Sequence, residues 1–424
     1  MFEPVLTRNI HRPDSEKISV YLAHGGYQAA RKALTLAPEE IIEMVKRSGL
    51  RGRGGAGFPA GVKWGFMPRD ADVQKIVAVN TDEGEPGTFK DREIVESDPH
   101  QVIEGVIIAA YAVGASRAYV YIRGEFFLGV KRWIKAIADA YEHGYLGENI
   151  LGSGLNLDMS VHRGAGAYIC GEETAMLESL EGKRGNPRLK PPYPAQTGLF
   201  GLPTLVHNIE TLTCIPNIIE RGSAWFAGIG TEESKGPKIF SVSGHVKHPG
   251  NYELPLGIPL REIIYEHAGG IRGGQKLKAI IPGGTSTPML TADQIDVPMA
   301  FETLKQVGSE LGTGAIIVMD ESTCMVEAAR RLSKFFAHES CGRCTPCRIG
   351  SQRIFEILDR MEHGKGKTGD IDLILELVQG IDGQTFCPMG AMLVNPPRSA
   401  IQRFREEFEY HITHKCCLVD AMDG

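Results

Sequence analysis

Hydrophobic and polar positions change their rhythm several times along the chain. Pro38 to Arg47 opens with Pro, carries Glu39 and Glu40 in its first turn, sets Ile41, Ile42 and Val45 on one face, and ends on Lys46 and Arg47. That pattern predicts an amphipathic helix. Ile76 to Val79 and Tyr119 to Ile122 are short apolar runs of the kind that become buried strands, and Val130, Trp133, Ile134, Ile137 and Tyr141 then recur at helical spacing. Leu155, Leu157, Met159 and Val161 alternate with polar residues, which predicts a half-buried strand. Two Gly-rich segments, 51–59 and 162–171, interrupt the regular patterns, and a helix is expected from Glu172. Strands alternating with helices in this order predict an α/β region whose two Gly-rich loops share a site.

The texture changes at Pro237. Ile239 to Val246, a Lys247-His248-Pro249-Gly250 turn, Tyr252 to Leu254, a helix near Leu260 to His267, and apolar runs at 279–281 and 315–319 predict a small α+β domain. Beyond Ser322 helix follows helix, with Met325, Ala329, Leu332 and Phe336 on one face and Ile354, Leu358 and Met361 on another, so a helical bundle is expected. The patch His363 to Thr368 is expected to be a loop; it resembles the end of a phosphate-binding P-loop, but Met361 stands where that motif needs Gly.

Composition narrows the function classes. At 424 residues the chain exceeds what one core usually serves, so two or three domains are expected. With 46 basic and 52 acidic residues there is no positive excess to neutralise a phosphate backbone, which argues against nucleic acid as a partner. The longest apolar stretch, Val102 to Ala115, contains Glu104 and falls short of the roughly 20 residues a spanning helix needs, so direct membrane insertion is not expected. The first residues, MFEPVLTRNIHRPDSEK, have neither an apolar signal core nor transit-peptide character, and a cytoplasmic location is expected.

Nine cysteines in a chain read as cytosolic point to metal or redox chemistry rather than disulfides. Cys170, Cys214, Cys324, Cys416 and Cys417 show no ligand spacing and are read as buried hydrophobes or bystanders. Cys341, Cys344 and Cys347 are different, because three thiols two residues apart on one turning loop can face one centre. Cys387-Pro388 supplies a remote fourth ligand. Zinc is the rival reading, but zinc sites usually pair two separate knuckles or mix Cys with His, whereas this spacing suits a 4Fe-4S cluster. A helix beginning near Pro346 would direct unpaired N–H groups at the cluster sulfurs.

Gly52 to Gly57 matches a dinucleotide pattern literally, yet a predicted helix precedes it where that pattern needs a strand. The reading that remains is an anion cradle of backbone N–H groups completed by Arg53 and Lys63, with a plain surface turn as the alternative. Asn80-Thr81-Asp82-Glu83-Gly84-Glu85 lies where a strand ends, the usual place for ligand contacts in an α/β sheet, although a solvated acidic turn would look the same. Glu172 and Glu173 open a helix, where the helix dipole alone favours acids.

Five segments in order, RGRGGAGFPAGVKW at 51–64, NTDEGEPGTFKDR at 80–92, HRGAGAYICGEETA at 162–175, NPRLKPPYPAQTGLFGLPT at 186–204, and ESCGRCTPCRIG with TFCPMG at the cysteines, resemble the flavin-binding, NADH-oxidising subunit of respiratory complex I. Relatives in NAD-linked hydrogenases and formate dehydrogenases share them, and a diaphorase subunit of that kind is the alternative reading. The resemblance implies a Rossmann-like flavin domain over 1–236, a ubiquitin-like (β-grasp) domain over 237–321, and a helical bundle over 322–424 carrying the cluster. It implies an NADH dehydrogenase with FMN, a 4Fe-4S cluster and NADH, with no catalytic side chain, since hydride passes directly from NADH to the flavin.

By the same resemblance Gly52, Gly54, Lys63, Asn80, Asp82, Tyr168, Gly171, Glu172 and Asn208 line FMN. Phe58, Phe66, Glu85, Glu173, Lys190 and Tyr193 hold NADH, and Cys341, Cys344, Cys347 and Cys387 are the cluster ligands. The Glu83-Gly84 peptide is expected to respond to the redox state, Gly84 standing where some members have Ser. His207 stands where many have Asn. The implied partners are a thioredoxin-like 2Fe-2S subunit and the iron-sulfur subunit of the complex I peripheral arm, which would hold the chain at the inner face of the cell membrane.

Overall fold

A computed structural model describes residues 2–70 and 72–422. The chain divides into two compact units: Met1–Gly84 with Thr88–Phe240 and Glu253–Gly257, and Glu85–Gly87 with Ser241–Tyr252 and Ile258–Gly424.

The first unit is built on β1 (Ile76–Thr81), β2 (Arg117–Ile122), β3 (Asp158–Arg163) and β4 (Thr204–Asn208), all parallel, in the order β3-β2-β1-β4. Helices cover the sheet, so β1 is buried on both faces and reads as a continuous apolar run rather than an alternation. The helix Pro99–Val113 is buried almost throughout, as its composition predicts. β3 begins later than its alternating pattern suggests: Leu155 and Leu157 precede it, and Leu157 forms only an isolated bridge with Gly147. Buried Glu104 is accounted for by the donors around it, accepting from Tyr27 N, Ala30 N and the Tyr21 hydroxyl. Parallel pairing brings the C-terminal ends of all four strands to one edge, and the chain reverses its winding between β1 and β4, the point at which such sheets open a ligand crevice.

A second sheet contains β5 (Pro237–Gly244), β6 (Gly250–Pro255), β7 (Leu277–Ile281), β8 (Leu290–Thr291) and β9 (Ala315–Asp320), ordered β6-β5-β9-β7-β8. β9 runs parallel to β5 in the middle, and β7 runs antiparallel to β8 and β9. That order, with the helical segment 260–267 between β6 and β7, is the β-grasp arrangement expected of the middle region. Four long helices follow, Met325–Glu339, Thr345–Arg360, Asp370–Ile381 and Met389–His414, and then a short one, Leu418–Met422. The four long helices bury Met325, Ala329, Phe336, Ile354, Leu358, Ile374, Val378, Leu393 and Phe408 against one another. Residues 361–365 extend the second of these helices as a wide turn, so the expected loop is confined to the residues after Lys365. Among the described residues no helix is long and apolar enough to cross a membrane.

Candidate functional site

The Gly-rich loop 51–59 is tied at its ends. Arg51 and Pro59 form an antiparallel bridge, Gly52 N donates to Phe58 O at 2.9 Å, and Arg51 Nε donates to Gly57 O at 2.7 Å. Among the described residues no backbone carbonyl accepts from Gly54, Gly55, Ala56 or Gly57 N–H, so the tip keeps its donors for another acceptor. A Cβ on Gly54 would stand 3.0 Å from the Asn208 Cβ, which shows how closely the loop meets the end of β4. Arg53 does not complete this cradle. Its side chain is 1% exposed and donates from Nη2 to Lys235 O at 2.7 Å, joining a buried set with Lys90, Lys238 and Glu210. The sequence places the guanidinium beside the loop, but its length carries the charge inward, where Glu210 offers a counter-ion.

Lys63 remains at the site, on the short helix Ala60–Gly65, with Nζ 2.8 Å from Glu173. Lys190 bridges Glu172 and Glu173, each at 2.9 Å. Burial opposes the Glu173 charge, but Lys63 and Lys190 overcome it and hold the carboxyl at about 2. Glu172 caps the helix Glu173–Leu180, accepting from Thr174 N and Ala175 N at 2.9 and 3.0 Å. The helix-terminus reading therefore accounts for Glu172, whereas Glu173 is set by the two lysines. The Lys63–Glu173 pair also joins the short helix after the first Gly-rich segment to the helix after the second.

At the end of β1, Asn80 acts as a brace: Nδ2 donates to Gly171 O at 2.9 Å while Oδ1 accepts from Asp82 N at 3.0 Å. A Cβ on Gly171 would stand 3.3 Å from Asp82 O, so Gly permits this approach. Asn208 caps the next helix through Glu210 N and donates from Nδ2 to Asp91 at 2.6 Å. The Glu83 carboxylate accepts from Asp91 N and Arg92 N at the start of Lys90–Ser97. Burial and the neighbouring Asp91 push it up to about 8 despite Lys90. Gly84 does not take a left-handed φ here; the room is what matters, because a Cβ would lie 2.5 Å from Arg123 Nη1 and 3.2 Å from the Tyr168 ring.

Phe58 and Phe66 form an exposed pair with ring centroids 6.1 Å apart, and Tyr193 is likewise exposed. Glu85 belongs to the second unit, where it accepts from Ser286 N at 2.6 Å and Thr285 Oγ1 at 3.1 Å. His207 turns its ring to Trp64, whose indole donates to Nε2 at 2.7 Å. Burial, with Lys63 adding, lowers the imidazole to about 3, so it is neutral with its proton on Nδ1. Sequence reasoning missed Arg123 and Asp91. Arg123 directly follows β2, and its place at the C-terminal end of a strand next to β1 was the available signal. Backbone donors at a reversal point, a phosphate-length cation and amide and carboxylate groups suit a phosphorylated, polyhydroxylated ring such as FMN.

In the second unit, Cys344 directly precedes the helix Thr345–Arg360 and Cys347 lies in its first turn, 3.2 Å from Ser340 Oγ. Cys387 precedes the helix Met389–His414 by two residues. Arg343 stacks over Phe386 at 5.1 Å, which fastens the triple-cysteine loop to the loop of the remote cysteine. Burial raises the Cys347 thiol, and Cys344 and Cys341 beside it add to the rise. Two helix N-termini concentrate partial positive charge where four thiolates and an anionic cluster would otherwise repel one another. The donor set thus fits a 4Fe-4S cluster.

Such a chain, a flavin fold joined to an iron-sulfur helical bundle, defines a class of redox subunit, and comparison with known proteins bears this out. Residues 45–217 match the Nuo51 FMN-binding domain, 238–318 the SLBB domain, and 327–411 the NADH-ubiquinone oxidoreductase-F iron-sulfur binding region. The chain is 56% identical over 418 residues to the second F-type subunit of the NADH-quinone oxidoreductase of Rhizobium meliloti, covering 98% of this chain and 99% of that one. It is 48% identical over 420 residues to the F-type subunit of the NADH-quinone oxidoreductase of Streptomyces coelicolor, covering 99% and 93%. Among solved structures, an NAD+-reducing [NiFe]-hydrogenase in the air-oxidised state superposes with a TM-score of 0.83 at 36% identity, covering 97% of this chain and 67% of that one. The chain belongs to the family of F-type subunits of NADH-quinone oxidoreductase.

Proposed function

We propose that the chain oxidises NADH by hydride transfer to bound FMN and passes single electrons through a 4Fe-4S cluster to partner subunits of an NADH-quinone oxidoreductase. The carrying observation is that one chain joins an FMN-binding region to an iron-sulfur region whose four cysteines sit at two helix N-termini. FMN supplies the exchange between the two-electron chemistry of nicotinamide and the one-electron chemistry of the cluster.

The protein's own part is binding and orientation. Gly52 ties the base of the loop, and Gly54 with the residues after it leaves backbone N–H groups for the flavin phosphate, with Lys63 as counter-charge. Asn80, Asp82, Tyr168, Gly171, Glu172 and Asn208 line the rest of the flavin. Phe58, Phe66 and Tyr193 offer rings for the nucleotide, while Glu173 and Lys190 hold its polar parts. The Glu83-Gly84 peptide, packed on Tyr168, responds to the redox state of the site. No side chain need transfer a proton, so rate comes from stacking and water exclusion. A flavin domain over 1–236, a β-grasp domain over 237–321 and a cluster bundle over 322–424 complete this reading. Its partners are a thioredoxin-like 2Fe-2S subunit and a peripheral-arm iron-sulfur subunit, which hold it at the cytoplasmic face of the membrane.

The hydrogenase likeness keeps a diaphorase role in view, but relatives at 48–56% identity over nearly the whole chain favour the quinone-linked complex. Cys344→Ser tests the cluster assignment. Flavin content should be retained and the EPR signal of the reduced 4Fe-4S cluster lost; a full-intensity signal would refute the ligand set.

A further inference from the structure

Three residues with no shared sequence motif meet where the start of the bundle's first helix lies beside the end of its longest one. Cys324 caps Met325–Glu339, the first helix; His411 lies in the last turn of Met389–His414; and Cys417 precedes Leu418–Met422. One ligand atom from each lies within 4.8 Å of the other two. One edge, Cys324 Sγ to His411 Nε2, is 3.4 Å. In a tetrahedral zinc site with Zn–S of about 2.3 Å and Zn–N of about 2.0 Å, the sulfur–nitrogen edge is about 3.5 Å.

The surroundings add to this. Glu362 Oε2 stands 3.7 Å from His411 Nδ1 and 3.9 Å from Cys324 Sγ, so a carboxylate lies against the same group of side chains. His411 is fully buried, so its orientation is set by packing rather than by solvent. Lys415 adopts φ 62, an uncommon conformation for a side-chain-bearing residue, and turns the chain back after the long helix toward Cys417. Cys416, next to it, is exposed.

We propose that Cys324, His411 and Cys417 bind a zinc ion, separate from the 4Fe-4S cluster. Two thiolates and an imidazole are a donor set that selects zinc over harder cations. The ion would tie the entry of the bundle to the segment that leaves it, and so brace the helices that carry the cluster cysteines.

The test is zinc content of the purified holoprotein, normalised to flavin, with zinc-edge X-ray absorption. The wild type should carry about one zinc per flavin, with two sulfur neighbours at about 2.3 Å and nitrogen or oxygen at about 2.0 Å. His411→Gln and the Cys324→Ser, Cys417→Ser double variant should lose nearly all of it, whereas Cys416→Ser should keep it. Flavin content and the cluster EPR signal report whether each variant is folded, and the absorption spectrum of the wild type decides the ligand set without any variant. Zinc below about a tenth per flavin in cells supplied with it would overturn the proposal. So would a shell of four sulfurs, which places the ion on the cluster cysteines, or a Cys324–Cys417 disulfide found by mass spectrometry in the wild type.

Discussion

Replacing Glu173 with Gln isolates one charge at the nucleotide end of the site. Lys63 and Lys190 face Glu172 and Glu173 at 2.8 to 2.9 Å, so two positive charges balance two negative ones. Gln leaves one positive charge in excess without changing the side-chain shape. If Glu173 lies beside the adenosine ribose, the native balance offers nothing to the 2'-phosphate of NADPH and the variant attracts it. At about 6 Å and an effective dielectric constant of about 20, two unit charges interact by about 3 kcal/mol. The Glu173 side chain is 24% exposed and salt screens the rest, so about half of that is retained, near 1.4 kcal/mol or about tenfold. The assay is kcat/KM for NADPH and for NADH with an artificial electron acceptor, and the ratio should rise about tenfold at low salt and less at high salt. Because Glu173 is held at about 2, its own charge is constant at neutral pH, and the gain should level off above about pH 7, where the 2'-phosphate, with a second pKa of about 6, is fully ionised. The lost ion pairs, partly exposed, should cost about 1 kcal/mol of stability. An unchanged ratio in a variant that keeps its FMN would refute the placement of Glu173.

Two further outcomes rest on neighbouring residues. His207 is buried neutral at about 3 against 6.5 when exposed, so the unfolded chain binds the extra proton between those values. Stability from this group is therefore full above about 6.5 and is lost as pH falls toward about 3, by roughly 1.4 kcal/mol per pH unit at most. Denaturant unfolding at pH 7.5 and 5.5 should show a smaller pH difference in His207→Asn than in wild type, and an equal difference would refute the assignment. Gly84→Val places a side chain against Arg123 and Tyr168, and should change NAD+ dissociation from the reduced protein more than flavin reduction by NADH in single turnover. Slowed reduction with unaltered dissociation would rule out a role in nucleotide release.

Local patterns settle part of this architecture. The spacing of Cys341, Cys344 and Cys347 puts three thiols on one loop whatever the rest of the chain does, and Pro346 marks the helix behind it. The apolar runs of β1 and β2 and the Gly-rich loop ends arise from side-chain burial and backbone freedom within a few residues. Packing decided the rest. Arg53 looks like a loop cation until its side chain is seen reaching Lys235 O, and nothing in the residues around His207 tells that its Nε2 accepts from the Trp64 indole. Glu85 shares a hexapeptide with Asp82, yet its carboxylate is held by Thr285 and Ser286, 200 and 201 residues away. Cys324 and Cys417, which spacing alone marks as bystanders, meet at His411 because two helix ends are brought together. A one-dimensional pattern specifies which groups share a turn, a strand end or a loop. Which long side chains turn inward, and which distant ends converge, depends on the counter-ions, hydrogen-bond partners and packing volume that only the folded chain supplies.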